Sequence, residues 1–115
     1  MPKILAYLHP FVIRPHSCLN TSNAVEFQHQ LTTAVAQERY TSVLVDLAQV
    51  ELLDSAGLMA LVYGLRLAQA LDRRFSICSV SPSIQIIFEL TQLDQVFEIF
   101  ESVAAFEAAD RLKEF

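Results

Sequence analysis

Short apolar runs that suit β-strands alternate along this chain with longer segments in which apolar residues recur at helical spacing. The clearest run is Val43-Leu44-Val45, which is β-branched and apolar throughout and is therefore typical of a strand covered on both faces. Strands that alternate with helices indicate an α/β fold. We expect a mixed, mostly parallel sheet of about four to five strands, covered by about four helices.

The predicted elements follow from the spacing of apolar residues and from the residues that end each segment. The predicted strands are Ile4 to Leu8, Phe11 to Arg14, Val43 to Val45, Phe75 to Val80 and Val96 to Phe100. Four helices are predicted: one from about Ala24, then Ser55 to about Leu71, Pro82 to about Thr91, and Ser102 to about Lys113. Asn23 and Glu26 have capping-box spacing, and Ser81 before Pro82 is a helix-start pair.

The apolar faces of the first two helices can be read from a rotation of 100° per residue. In the first helix, the residues on one face are Ala24, Phe27, Leu31, Ala34 and Val35. In the second, the predicted core face holds Gly57, Ala60, Leu61, Gly64, Leu67, Ala68 and Leu71. The opposite face holds Ser55, Met59, Val62, Arg66, Gln69 and Arg73. Because Met59 and Val62 are apolar, they indicate either a binding surface or a strip that another element covers.

Glycine is scarce in this chain, which has 115 residues and two glycines. Average usage near 7% would give about eight, so most turns must form without glycine. We expect residues 1–115 to form one domain, because a chain of this length can bury a core without disulfide or metal support. Both glycines lie in the second helix, where small residues would let the helix lie close to the sheet.

Charge and cysteine content limit the partners and the compartment. The net charge is −5, with no run of one sign, so the basic patch of a nucleic-acid-binding protein is missing. Cys18 and Cys78 are predicted to be free thiols in a reducing compartment. The sequence has no secretory signal pattern and no apolar run long enough to span a bilayer. We therefore expect a soluble cytoplasmic protein without direct nucleic-acid contacts or membrane insertion.

The segment from Asp46 to Gly57 carries the strongest functional signal. A buried strand ends at Asp46, a short connection follows, and a helix begins at Ser55. Sites in α/β sheets gather at the carboxyl ends of strands, and a helix N-terminus there offers free N–H groups. The Ser55 hydroxyl can cap the helix, or it can carry a phosphate that the helix end tolerates.

Catalytic chemistry lacks its usual partners in this sequence. The histidines, His9, His16 and His29, all precede the first long strand, and no Gly-x-Ser-x-Gly elbow surrounds Ser55. No metal-ligand spacing and no glycine-rich phosphate loop occur. The sequence thus predicts a protein that is not an enzyme, with no cofactor, no metal ligand and no catalytic residue.

The chain resembles the STAS domain family of bacterial anti-sigma factor antagonists over nearly its whole length. Val43 to Leu47 followed by Val50 to Leu58 resembles the family's strand, turn and Asp-Ser-Ala-Gly phosphorylation motif. Glu89 to Asp94 and Val96 to Phe100 look like its C-terminal signature, and Leu19 to Ala24 is similar to the start of its first helix.

The resemblance implies a phosphorylation switch. A protein of this family binds an anti-sigma factor serine kinase, which phosphorylates the serine matching Ser55, and a metal-dependent phosphatase removes the phosphate. The implied partner surface consists of Asn20, Thr21, Asp54, Ser55, Gly57, Leu58, Met59, Val62 and Arg66. Two further roles stay open: a non-switching scaffold in a membrane transport or multiprotein signalling complex, and weak nucleotide binding.

This chain departs from the family pattern in two loops. Ser17 and Asn20 stand where the family usually has a glycine and an acidic residue, and Asp72-Arg73-Arg74 replaces a turn that commonly holds glycines. Asn20 keeps the size and capping ability of Asp without its charge. Neither departure touches Ser55.

Overall fold

The computed structural model describes residues 10–37, 40 and 42–112, and this part of the chain forms six strands and four helices. The strands are β1 (Phe11–Ile13), β2 (His16–Leu19), β3 (Ser42–Asp46), β4 (Gln49–Leu53), β5 (Arg74–Cys78) and β6 (Glu98–Phe100). The helices are α1 (Ala24–Ala36), α2 (Ser55–Ala70), α3 (Pro82–Leu90) and α4 (Val103–Leu112), and a 3-10 turn spans Leu93–Gln95. The predicted strand Ile4 to Leu8 lies outside the described residues.

The main sheet has the strand order β1-β3-β5-β6, and its neighbours pair in parallel. Every residue of β3 is buried, which confirms the prediction from its uninterrupted apolar run. Because successive side chains of a strand point to opposite faces, the sheet has two apolar layers. Val43 and Phe75 join the larger cluster beneath α1, α2 and α3, whereas Leu44 and Cys78 pack with Phe106 of α4 on the other face.

A second, small sheet consists of β2 and β4, which also pair in parallel. Sequence patterns predicted a loop at His16 to Asn20 and a connection before Ser55, so both strands were missed. They are short and half exposed, and their register shifts between Ser17 and Cys18. Polar and apolar residues alternate too briefly in such strands to indicate a sheet.

The helix faces agree with the sequence with three exceptions, the first being Leu67 of the predicted α2 core face, which is only partly buried. All five predicted core residues of α1 are buried. In α2, Gly57, Ala60, Leu61, Gly64 and Ala68 are buried as predicted. Leu65, which was not predicted, is buried as well, and Leu71 is 42% exposed because it follows the helix end.

The two glycines sit where α2 approaches its neighbours most closely. A Cβ atom at Gly57 would lie 2.5 Å from the backbone oxygen of Leu19 in β2. One at Gly64 would lie 3.1 Å from the ring of Phe75 in β5. This confirms the prediction that glycine is kept for close packing of the second helix.

Turns form with other residues in the left-handed region. Positive φ angles occur at Ser17, Asp72, Ser79 and Gln92, and neither glycine has one. Ser17 lies inside β2, at the register shift, and Asp72 follows α2. These are the two places where the resemblance leads us to expect glycine. These residues accept a strained backbone conformation that glycine adopts freely.

Candidate functional site

The N-terminus of α2 is capped by Asp54 rather than by Ser55. The Asp54 carboxylate accepts a hydrogen bond from the N–H of Gly57 at 3.0 Å, and its backbone is extended, as an N-cap requires. Ser55 is therefore the first residue inside the helix. The interpretation of Ser55 as the capping residue is wrong, and its exposed side chain is left free of that role.

The loop before α1 is held by side-chain hydrogen bonds of two asparagines. The amide oxygen of Asn20 accepts hydrogen bonds from the N–H and the hydroxyl of Ser22, at 3.0 and 2.6 Å. Asn23 accepts a hydrogen bond from the N–H of Asn20 at 2.9 Å and donates one to the Cys18 carbonyl at 2.7 Å. Asn23 makes no side-chain cap bond to α1, so the predicted capping box is not formed. Its side chain ties the loop back to β2 instead.

Asp54 joins this loop to α2. Its second carboxylate oxygen accepts a hydrogen bond from the N–H of Thr21 at 3.3 Å, while its own N–H donates to the Leu19 carbonyl at 3.0 Å. The same carbonyl lies directly against Gly57. The structure thus brings Asn20, Thr21, Asp54 and Ser55 to one edge, at the carboxyl ends of β2 and β4.

The remaining residues of the predicted partner surface differ in exposure. Met59 is 59% exposed, and Arg66 is exposed as well. Leu58 and Val62 are partly buried and pack against the core, so the predicted solvent-facing strip is interrupted at Val62. Gly57 is buried and supports the surface only by letting α2 lie against β2.

Tyr63 is a surface residue of α2 that the sequence analysis missed. It is 52% exposed and lies four residues after Met59, on the same side of the helix. A wheel centred on the core face would have found it, because it falls within the exposed half. Met59 and Tyr63 together form the exposed apolar part of this helix.

His16 and His29 lie apart from Ser55, whereas Cys18 lines a groove together with Asp54. His16 and His29 line a separate cavity of about 570 Å³ beside β1 and α1. Among the described residues, no group of His, Cys, Asp and Glu has the arrangement of a metal site. Both cysteines are free thiols, as predicted. Burial, reinforced by the nearby Asp46 carboxylate, raises the pKa of the Cys78 thiol.

A family model for the STAS domain matches residues 2–106. The chain belongs to the STAS domain family. This confirms the resemblance seen in the Asp-Ser-Ala-Gly motif around Ser55.

None of the helices in the described ranges is long and apolar enough to cross a bilayer.

A relative of this STAS domain occurs in Thermotoga neapolitana, where it is named as a candidate anti-sigma factor antagonist homologue. The two sequences are 24% identical over 93 residues, which cover 81% of this chain and 82% of the relative. This chain is therefore similar to a protein named as an anti-sigma factor antagonist homologue.

Solved structures share the fold across two kinds of protein. A candidate anti-sigma factor antagonist from Thermotoga maritima has a TM-score of 0.80 and 22% identity, covering 87% of this chain and 86% of that one. The phosphorylated form of the Bacillus cell fate determinant SpoIIAA has a TM-score of 0.64 and 22% identity, covering 88% of each chain. A sulfate transporter family protein from Wolinella succinogenes has a TM-score of 0.77 and 13% identity, covering 89% of this chain and 84% of that one. At these identities the likeness establishes the α/β fold alone.

Proposed function

We propose that this chain is a partner-switching regulator: it binds an anti-sigma factor serine kinase and is released when Ser55 is phosphorylated. The observation that carries the proposal is the position of Ser55. It is exposed and is the first residue of α2, and Asp54 caps the helix in its place. The existence of a phosphorylated structure of SpoIIAA, which shares the fold, supports the same reading.

The helix end around Ser55 suits a phosphoacceptor. Asp54 takes up the N–H of Gly57, and within the described residues the N–H groups of Ser55 and Ala56 have no protein acceptor. Free N–H groups and the positive end of the helix dipole stabilise a nearby phosphate. The phosphorylated protein would therefore keep its fold, and the main effect of the phosphate would be on binding to the partner.

A phosphate on Ser55 would weaken binding through its charge. It adds about −1.5 to −2 charges next to the Asp54 carboxylate, in a chain whose net charge is already −5. The next basic residue on the same helix, Arg66, lies eleven positions further on, or about 16 Å along the axis, so it cannot neutralise the phosphate. In a complex that covers the apolar Met59 side chain, the nearby phosphate would lose contact with water. This desolvation costs free energy and therefore lowers the affinity for the partner.

The rest of the proposed system follows from this switch. A metal-dependent serine phosphatase would restore the unmodified form, and the protein would act as a cytoplasmic single domain over residues 1–115. It would act by binding and release, without catalysing a reaction.

Incubation with ATP and the anti-sigma factor kinase of its own genome tests the proposal. Intact-mass spectrometry should find one added phosphate, and Ser55→Ala should abolish it. Ser83→Ala is the matched control, because Ser83 is also an exposed serine in the first turn of a helix, and it should still gain one phosphate. A phosphate on any residue other than Ser55 would overturn the assignment.

Kinase affinity tests the charge argument separately. Ser55→Ala should bind like the unmodified protein, and Ser55→Asp should bind at least about tenfold more weakly, since tenfold corresponds to about 1.4 kcal/mol. Equal affinities for the two variants would mean that charge at this position does not control release.

A non-switching scaffold is the second candidate, favoured by the shared fold with a sulfate transporter family protein. In that case Met59→Ser would weaken association, while Ser55→Asp would leave it unchanged. The pair of variants therefore separates the two functions in one binding experiment.

A further inference from the structure

Helix α3 is apolar on two sides. Its inner side is fully packed, with Ile84 1% and Phe88 0% exposed. Its outer side is also apolar, with Ile86 54% and Leu90 79% exposed. Within the described residues nothing covers that outer side, whereas a helix that is apolar all round is normally buried.

The outer residues of α3 form a stripe beside a groove. Ser83, Ile86, Ile87 and Leu90 have the spacing i, i+3, i+4, i+7 and therefore lie on one face. Ser83 and Ile87 also line a groove of about 310 Å³ between α3 and the small sheet, which we call the α3 groove. Its opposite wall includes Leu52 of β4, which is 65% exposed.

Two helices can pack when each presents an apolar stripe at this spacing, and an amphipathic helix can also lay such a stripe into an apolar groove. The stripe and Leu52 form one continuous apolar surface, since Ile87 borders both. Contiguous exposed apolar surface on a monomer marks interaction sites. The shape thus fits a helical segment lying along α3.

The charges around the α3 groove have one sign. Among the residues that line the groove, Glu51 and Asp54 are acidic and none is Lys or Arg. Glu51 lines the groove, Glu89 lies on α3, and both are exposed. An acidic rim attracts a basic partner and repels a second acidic copy of the same surface.

We propose that the α3 groove binds a basic amphipathic helix of a partner protein. Apolar side chains of that helix would contact Leu52, Ile87 and Leu90, and its Lys or Arg residues would pair with Glu51 and Glu89. The groove borders the Ser55 site, since Asn20 and Asp54 also line it. Its proposed anchors lie on β4 and α3, and the peptide experiments use unphosphorylated protein, so the proposal does not rest on phosphorylation of Ser55.

Two synthetic peptides test the proposal on the full chain. Both are 18-residue helix formers with Leu at i, i+3, i+4, i+7 spacing; one has Lys at the remaining positions and the other has Glu. In fluorescence anisotropy, the Lys peptide should bind at least tenfold more tightly than the Glu peptide, and high salt should reduce the difference. Equal binding of the two peptides would overturn the charge complementarity.

Variants locate the binding surface. Leu90→Ser and Leu52→Ser should each lower the affinity for the Lys peptide by at least fivefold. Glu89→Gln should lower that affinity less and should also reduce the salt dependence of binding. Val25→Ser is the matched control, because Val25 is an apolar residue that is 83% exposed on α1. This variant should bind the Lys peptide with unchanged affinity. Equal losses in Val25→Ser and Leu90→Ser would overturn the proposed site. So would sedimentation that shows a dimer of this chain which Leu90→Ser converts to a monomer, since a second copy would then be the occupant.

Discussion

The two sheets of this STAS domain differ in how they are stabilised. The main sheet has four parallel strands with apolar layers on both faces, and β3 is buried along its whole length. The small sheet has two half-exposed strands, whose ends are fixed by contacts with the first turn of α2. Leu19 at the end of β2 supplies one such contact, to Gly57 and to the Asp54 N–H.

This difference separates stability from recognition. Apolar burial in the main sheet provides most of the free energy of folding. The small sheet buries Leu19, Val50 and Leu53 but leaves its other residues partly or fully exposed. Its carboxyl ends place Thr21, Asp54 and Ser55 side by side. Regions with few buried contacts open at a lower free energy than the core, so the site should be the part of the molecule that opens first.

The largest expected effect is a difference in thiol protection, because each sheet carries one cysteine. Cys78 in β5 is 0% exposed, whereas Cys18 in β2 is only partly buried. A thiol reagent should modify Cys18 at least about a thousandfold faster, since Cys78 requires an opening that approaches global unfolding. Peptide mapping by mass spectrometry during the reaction gives both rates. Similar rates would show that the two sheets open together.

The next effect comes from the two glycines of α2, one facing each sheet. In Gly57→Ala the new Cβ would meet backbone atoms of Leu19 at 2.5 and 2.9 Å, so α2 must move away from β2. Overpacking costs about 1–3 kcal/mol or more, against a gain of about 1 kcal/mol in helix propensity. We expect a net loss of about 2 kcal/mol in the free energy of unfolding, measured by urea titration.

Gly64→Ala is the matched control for that substitution. Its nearest contacts are side-chain atoms of Phe75 and Leu31 at 3.1 to 3.3 Å, and these can shift by a few tenths of an ångström. The same helix gain then leaves stability within about 1 kcal/mol of the parent. A larger loss in Gly64→Ala than in Gly57→Ala would reverse the assigned roles of the two glycines.

Loss of the α2 cap should have a smaller effect. Asp54→Ala removes the bonds to Gly57 and Thr21 and should cost about 1–2 kcal/mol. Ser81→Ala removes the longer cap bond of α3, 3.4 Å to the N–H of Ile84, and should cost less. Hydrogen exchange at Thr21 should rise in Asp54→Ala and not in Ser81→Ala, because the Asp54 carboxylate accepts the hydrogen bond of the Thr21 N–H. Unchanged exchange there would contradict the link.

The smallest effect is expected at Ser55. Ser55→Ala should change the free energy of unfolding by less than about 0.5 kcal/mol, as is usual for an exposed residue that makes no specific bond. A loss of about 1 kcal/mol would mean that Ser55 does cap α2 in solution and that its hydroxyl makes a stabilising hydrogen bond. Thermal unfolding of the two proteins side by side is sufficient.

The sequence predicted the buried parts of the molecule well, because burial imposes a repeat. The apolar face of α1 and the strand at Val43 to Val45 both follow from spacing alone. The small sheet was missed because its strands are short and bury few residues. Leu65 was missed because it lies at the margin of the core face, where rotation by 100° per residue does not separate buried from exposed positions.

The site was predicted in composition but not in geometry. The motif identified Asp54 and Ser55 together, yet both residue types cap helices, and the spacing does not decide between them. The extended backbone of Asp54 and its contact with the Gly57 N–H decide it. Likewise Asn23 was expected to cap α1, but its amide reaches the Cys18 carbonyl instead. Both contacts are local in sequence, but residue types and spacing do not specify the backbone conformation that forms them. Asp54 is also held by hydrogen bonds to Leu19 and Thr21, which are distant in sequence and which local patterns do not contain.

The left-handed backbone conformations at Ser17, Asp72, Ser79 and Gln92 bear on the entropy of the unfolded chain. Each holds a non-glycine residue at a cost of about 1 kcal/mol. In return, a chain with about six fewer glycines than average has fewer conformations to lose on folding, by about 0.5–1 kcal/mol for each missing glycine. The two contributions are of similar size and opposite sign. A glycine at any of these four positions would relieve backbone strain in the folded state and also raise the conformational entropy of the unfolded state. The two effects oppose each other, so the free energy of unfolding should change little.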